Sequence, residues 1–98
     1  MTIMAPLDCE LAAGVPNVDD YLRLRRVAGL DERSSEAAAA GLPNTWFGVL
    51  MRHEGPVVGM GRIIGDGGCF FQVTDVAVDP GHRGKGLGQC IVSALAPI

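Results

Sequence analysis

The chain has 98 residues, 48% of them hydrophobic, 19% charged and 5% aromatic, with a formal net charge of −3. This composition fits one globular domain with a core of small and aliphatic side chains, burying roughly 60–65% of the extended chain's surface. The acidic balance argues against a general nucleic-acid binder, and no apolar run reaches the roughly 18 residues of a membrane span.

The opening MTIMAPLDCELAAG has no basic stretch and holds Asp8 and Glu10, so it does not read as a signal peptide. A cytoplasmic location is expected. Cys9, Cys69 and Cys90 are odd in number, far apart and without metal-ligand spacing. They are expected to be reduced, partly buried small residues rather than a disulfide framework or a metal site.

A short strand is predicted over Asp8–Ala12. Asn17 then caps a helix beginning at Val18, with Asp19 and Asp20 in its first turn, Arg23, Arg25 and Arg26 later, and Gly29 as its stop. Acids near the positive helix end and bases near the negative end support that assignment. Ser34 or Ser35 opens a second, short helix through the alanine run to Gly41, with Pro43 beyond it. Three strands follow at 44–53, 55–66 and 69–78, joined by turns at Glu54-Gly55 and Asp66-Gly67-Gly68. Links this short predict an antiparallel meander. Trp46 and Phe47 fall on opposite faces of the first of these strands, and at least one is expected in the core. Asp79-Pro80 ends the third strand. A last helix spans 87–96, with Leu87, Ile91, Ala94 and Leu95 on one face and Pro97 as its stop.

Between the third strand and the last helix lies DPGHRGKGLG, with Gly84, Gly86 and Gly88 at alternate positions and Arg83 and Lys85 beside them. Glycines let a turn aim several backbone N–H groups at one point, and the helix start adds unpaired amides and its positive end. Arg83 offers a fork and Lys85 a mobile point charge. The ligand implied is a diphosphate or a similar polyanion. The P-loop pattern fails, because Leu87 and Gly88 follow Gly86 where lysine and a hydroxyl residue are required. The dinucleotide fingerprint fails too, since Gln89 stands where its third glycine belongs and no βαβ unit precedes the turn.

A third pattern fits. VTDVAVDPGHRGKGLGQCIVSAL resembles the acetyl-CoA-binding motif of the GNAT superfamily of N-acetyltransferases, R/Q-x-x-G-x-G/A, here Arg83, Gly86 and Gly88 after a strand ending V-x-V-x-P. The resemblance implies an α+β, three-layer acyl-CoA N-acyltransferase fold in the order β-α-α-β-β-β-α. It covers essentially the whole chain, the part before Trp46 in layout only. It further implies that the backbone of Val76, Ala77 and Val78 meets the pantetheine arm of acetyl-CoA, and that the amides from Arg83 through Gly88 (Gly84, Lys85, Gly86 and Leu87 between them) hold its pyrophosphate. The implied reaction is direct attack of a primary amine, on a small molecule or a peptide, upon the thioester, with no metal.

Asp75, mid-strand, is the catalytic candidate, for the substrate amine or a proton relay; its other reading is a paired structural carboxylate. Gln72 and Thr74 are polar candidates of opposite parity. His53 and Glu54 sit on a different connection from the glycine turn, and His82 is placed as a phosphate neighbour or a solvated residue. Tyr21, Arg25 and the loop to Ser35 fall in the acceptor-binding region that the resemblance implies.

The family fold continues with a further strand, a helix and usually two more strands, whereas this sequence reads as a single domain, 1–98, lacking them. Strand 69–78, central in the full fold, would then be an open hydrophobic edge. A homo-oligomer that pairs with or covers it is expected. The alternative to a working N-acetyltransferase is an inactive remnant that binds CoA weakly or serves only in oligomer formation.

Overall fold

Five strands form one antiparallel sheet in sequential order in the computed structural model, which describes residues 2–5 and 9–95. They are β1 (Thr2–Ala5), β2 (Cys9–Ala13), β3 (Phe47–Arg52), β4 (Val57–Gly65) and β5 (Phe71–Val78). Between β2 and β3 lie helices α1 (Val18–Val27) and α2 (Ser35–Gly41), and α3 (Leu87–Leu95) follows β5. The expected order is observed with one addition: β1 pairs antiparallel to β2 and extends the sheet on that side. Asp8, the expected start of the first strand, and Ala96–Ile98 lie outside the described residues.

Local chemistry sets the element ends. The Asn17 side chain accepts from the amide of Asp20 at 2.8 Å, and the Ser34 side chain from that of Ala37 at 3.0 Å, so both early helices start on side-chain caps. The expected strand at 44–53 starts only at Phe47, because Leu42–Asn44 winds into a 3₁₀ turn around Pro43. The expected strand at 69–78 starts at Phe71. Asp66 Oδ1 accepts from the amides of Gly68, Cys69 and Phe70 and folds those residues into the preceding turn. Cys69 is therefore exposed, a correction to its expected partial burial.

Period-two alternation divides the apolar side chains between the two faces. Val49, Met51, Val58, Ile63 and Val78 pack with Leu87, Ile91 and Leu95 of α3. Leu50, Val57, Met60 and Ala77 pack with Tyr21 and Leu24 of α1 and Ala38 of α2. The result is three layers, α1 and α2 on one side of the sheet and α3 on the other. Phe47 joins the α3 face, while Trp46 stays 45% exposed with its ring edge-on to Phe71.

Two glycines on β4 set how closely α3 approaches. A Cβ on Gly59 would fall 2.9 Å from Ile91 Cδ1, and one on Gly61 2.6 Å from Ile91 Cγ2 and 3.0 Å from Leu95 Cδ1. Bare backbone at these positions lets the helix lie against the sheet and holds the turn that precedes it. Replacing Gly61 by valine should force α3 outward and cost about 2–3 kcal/mol. Urea denaturation reads this directly, and an unchanged midpoint would show that α3 is not seated on Gly61.

Candidate functional site

Beyond Ala77, the β4–β5 register slips. Met60 faces Ala77 but Arg62 faces Thr74, so Asp75 and Val76 together oppose Gly61. This is a β-bulge, and Asp75 has φ +57°, in the left-handed region. The bulge turns the Asp75 side chain toward α1, where it is almost fully buried.

Three groups meet its carboxylate. Tyr21 Oη donates to Oδ2 at 2.8 Å, Arg62 Nε donates to the same oxygen at 2.8 Å, and Arg25 Nη1 donates to Oδ1. Arg25 also donates through Nε to the Asp31 carbonyl at 2.9 Å, and Arg62 through Nη1 to Thr45 Oγ1 at 2.7 Å. Both guanidiniums lie within 6 Å of the Tyr21 ring centre, at 5.9 and 5.8 Å. Burial pushes the Asp75 pKa up, but hydrogen bonds from Arg62, Tyr21 and Arg25 outweigh it and hold the carboxyl below the usual range. Burial, followed by the bond to Asp75, raises the pKa of Tyr21.

The residues after the bulge enter a cavity of about 400 Å³. Val76, Ala77 and Val78 form one wall; Arg83, Gly84, Gly86, Leu87 and Gly88 form another; Ala28 and Leu30, at the end of α1, approach from the side. Eight of the nine expected cofactor residues thus line one space. Lys85 is exposed and lies outside that lining.

The glycine turn is built from backbone conformation. Asp79 Oδ1 accepts from Gly81 N at 2.9 Å and opens a 3₁₀ turn over Pro80–His82. Gly84 and Gly86 have φ of +76° and +79°, and a Cβ on either would meet nothing within 4 Å. Glycine is needed there for its dihedrals, while the space beside it stays open. The first helical bond of α3 is Cys90 N to Gly86 O at 3.0 Å, so the amides of Leu87, Gly88 and Gln89 stand at the helix start without intrahelical partners. Arg83 Nε donates to the Val78 carbonyl at 3.3 Å and bridges the turn back to the strand.

His82 lines the same cavity, and its Nδ1 is buried without a hydrogen-bond partner. Its ring stands edge-on to that of His53, with centroids 5.3 Å apart. His53, on a different connection in sequence, is therefore brought next to the turn. Glu54 projects into solvent, and Gln72 is exposed on β5. Arg62 was not singled out from sequence, yet GMGRIIG carried a signal: a lone cation in an apolar strand needs an acid, and VTDVAV holds one.

Among the described residues, no group of three His, Cys, Asp or Glu could hold a metal ion, and no helix is long and apolar enough to cross a membrane.

Residues 44–97 match the family model for the acetyltransferase (GNAT) domain. The chain is similar to a solved protein of unknown function, a probable acetyltransferase, from meticillin-resistant Staphylococcus aureus. The two share 37% identity with a TM-score of 0.87, over 91% of this chain and 67% of that one. A GNAT family protein from Streptococcus pneumoniae matches at 21% identity and TM-score 0.77, over 91% of this chain and 66% of its own. A GNAT family N-acetyltransferase from Escherichia coli, solved with CoA, matches at 19% and 0.68, over 86% and 52%. The last two likenesses are of fold alone. The chain thus spans about two thirds of the first two proteins and about half of the third. No curated protein matches the sequence.

The pairing of Asp75 has a pH signature. An unfolded aspartate titrates near ~3.9, and the folded carboxylate has a lower pKa, so its stabilisation is complete above that value and is lost as pH falls through the folded pKa. Asp75→Asn should cost about 3 kcal/mol at neutral pH, because two buried guanidiniums lose their counter-charge. The variant should also show a shallower loss of stability on acidification below about pH 4. Urea midpoints measured from pH 3 to 7 check both, and parallel curves for the two proteins would show that Asp75 is not the titrating group.

Proposed function

The chain belongs to the GNAT acetyltransferase family, and from that premise we propose that it binds acetyl-CoA in the cavity between β5 and the glycine turn and transfers the acetyl group to a primary amine. One observation supports this above the others: Val76–Val78 and the turn residues Arg83, Gly84, Gly86, Leu87 and Gly88, nominated by the motif, line a single space of about 400 Å³. The residues fit such a ligand. Left-handed glycines with open space above them, three helix-start amides and the Arg83 guanidinium make a cradle for a diphosphate. Open backbone along Val76–Val78 suits an extended, amide-bearing arm.

When bound, acetyl-CoA supplies an acetyl thioester, which an unprotonated amine attacks directly. The chain's own part is positioning and electrostatics. The bulge leaves main-chain groups beside Val76 outside the regular ladder, where an N–H can face the oxygen on which negative charge develops. Asp75, held ionised by two guanidiniums, is a feeble base, and its contribution in this reading is to fix the bulge. His82 stands at the cavity wall, its Nδ1 3.9 Å from the Asp79 carboxylate. The acceptor is a small-molecule or peptide amine; the net charge of −3 gives no support to a nucleic-acid partner. The same charge and the absence of any spanning helix among the described residues fit the cytoplasm, where we place the protein.

A second reading concerns assembly and applies whether or not the chain turns over. β5 is an outer strand of the sheet, with Phe71 43% and Val73 49% exposed on it and Phe70, in the turn before it, 76% exposed. In this reading residues 1–98 act as one domain whose β5 edge is paired with or covered by another copy, and an inactive CoA-binding or purely oligomeric role would use the same surface.

Calorimetry with acetyl-CoA should detect binding that Arg83→Ala weakens about tenfold. Gly86→Val should abolish it, because a β-branched residue is strained at this φ. Thiol release with a panel of amines then distinguishes catalysis from binding alone. Equal binding by all three proteins would remove the turn from the site. For assembly, sedimentation at micromolar concentration should show a species larger than the 10.2 kDa chain. A compact monomer alone would overturn the second reading.

A further inference from the structure

A second, smaller cavity of about 140 Å³ lies behind the bulge, lined by Tyr21, Ala38, Gly41, Leu42, Arg33 and Arg62. Its two charged residues are both cations. Arg62 is anchored through Nε to Asp75, but that carboxylate also serves Arg25, so one buried negative charge faces one buried and one part-buried positive charge. The remaining partners of these guanidiniums are neutral: the Asp31 and Gly41 carbonyls and the Thr45 hydroxyl. Hydrogen bonding is satisfied while charge is not, and at low dielectric an uncompensated cation favours an incoming anion.

Arg33 supplies the mobile half of the site. It is exposed, and its Nη1 donates to the Glu32 carbonyl at 3.1 Å, a neutral acceptor. It stands between this cavity and a third one of about 190 Å³, where Arg25, Arg26 and Glu32 also line the wall. The nearby acids are committed or point elsewhere. Glu36 accepts from the Ser35 hydroxyl at 2.8 Å, and Glu32 lines the third cavity but not this one.

Position gives this charge a purpose. Asp75 bonds Tyr21 and Arg62, which line the small cavity, and the next residue, Val76, begins the wall of the large one. The two spaces lie back to back around one carboxylate. Building on the acetyl-transfer reading, we infer that the acceptor amine carries an oxyanion, a carboxylate or a phosphate, held by Arg33 and Arg62 in the cavity beside Tyr21. The volume admits such a group. The planar forks of two arginines match its oxygens, while the amine is left to reach past the bulge toward the larger cavity.

Three amines that differ in their anion test this on the full chain by side-chain NMR: L-alanine, L-alaninamide and O-phosphoethanolamine. Alanine or phosphoethanolamine should shift the Arg62 Nε–Hε resonance in a saturable way, and alaninamide should not. Whichever anion binds more tightly names the class. Arg33→Ala should weaken that binding about tenfold, and Arg33→Glu should abolish it. Arg52→Ala, an exposed arginine at the far end of β3, serves as the control of equal charge change and should leave the titration unaltered. Equal shifts from alaninamide, no saturable shift from either anion, or an affinity indifferent to Arg33 would each overturn the inference. Calorimetry with acetyl-CoA on the unmodified chain is independent. Coenzyme binding without an anion preference defeats this inference alone, and anion binding without coenzyme binding defeats the acetyl-transfer reading alone.

Discussion

The buried carboxylate of Asp75 is where three parts of the molecule are tied together. It lies on a bulge of β5, receives the Tyr21 hydroxyl and the Arg25 guanidinium from α1, and receives Arg62 from the neighbouring strand β4. An extra residue in an antiparallel pair bends and twists its strand, and a non-glycine residue at positive φ persists only where its surroundings over-determine it. Here they do: three donors on two elements define where the carboxylate must be. That determines how β5 leaves the bulge, and hence the direction of Val76–Val78 along the larger cavity. Arg25 extends the same connection to the loop after α1 through the Asp31 carbonyl.

The opposite face of the sheet complements this arrangement through absence of side chains. Gly59 and Gly61 admit Ile91 and Leu95, so α3 rests nearly on the backbone of β4. The helix start is thereby held close to the end of β5, and the glycine turn has little slack to span. One strand face thus organises a charged network and the other a close helix contact, with the bulge opposite Gly61 common to both.

Much of this was legible in the amino-acid order. Asn17, the acid-to-base gradient of α1 and the glycine turns punctuate the chain through local chemistry, and local chemistry is what a sequence states most directly. The motif around Arg83–Gly88 was readable because its shape depends on backbone dihedrals that few residues other than glycine adopt. What could not be read was long-range. Tyr21, Arg25 and Arg62 meet Asp75 across 54, 50 and 13 residues, and nothing in their spacing reveals it. The slip that turns Asp75 toward α1 changes the parity of everything before it on β5, and a count of alternating positions does not show such an insertion. The approach of His53 to His82 is of the same kind, two connections brought side by side by a register that only the assembled sheet defines.

The sheet order also bears on how the chain gets into shape. Each strand lies beside its neighbour in sequence, from β1 through β5. Three of the four pairings are hairpins closed by short links, and the fourth is bridged by the segment that carries α1, α2 and the 3₁₀ turn. Contacts between near neighbours require little loop-closure entropy before they are rewarded, which is the topology associated with rapid folding. The sequential order therefore keeps the closure cost of each successive pairing low, and the glycine turn only has to bridge the end of β5 to the start of α3.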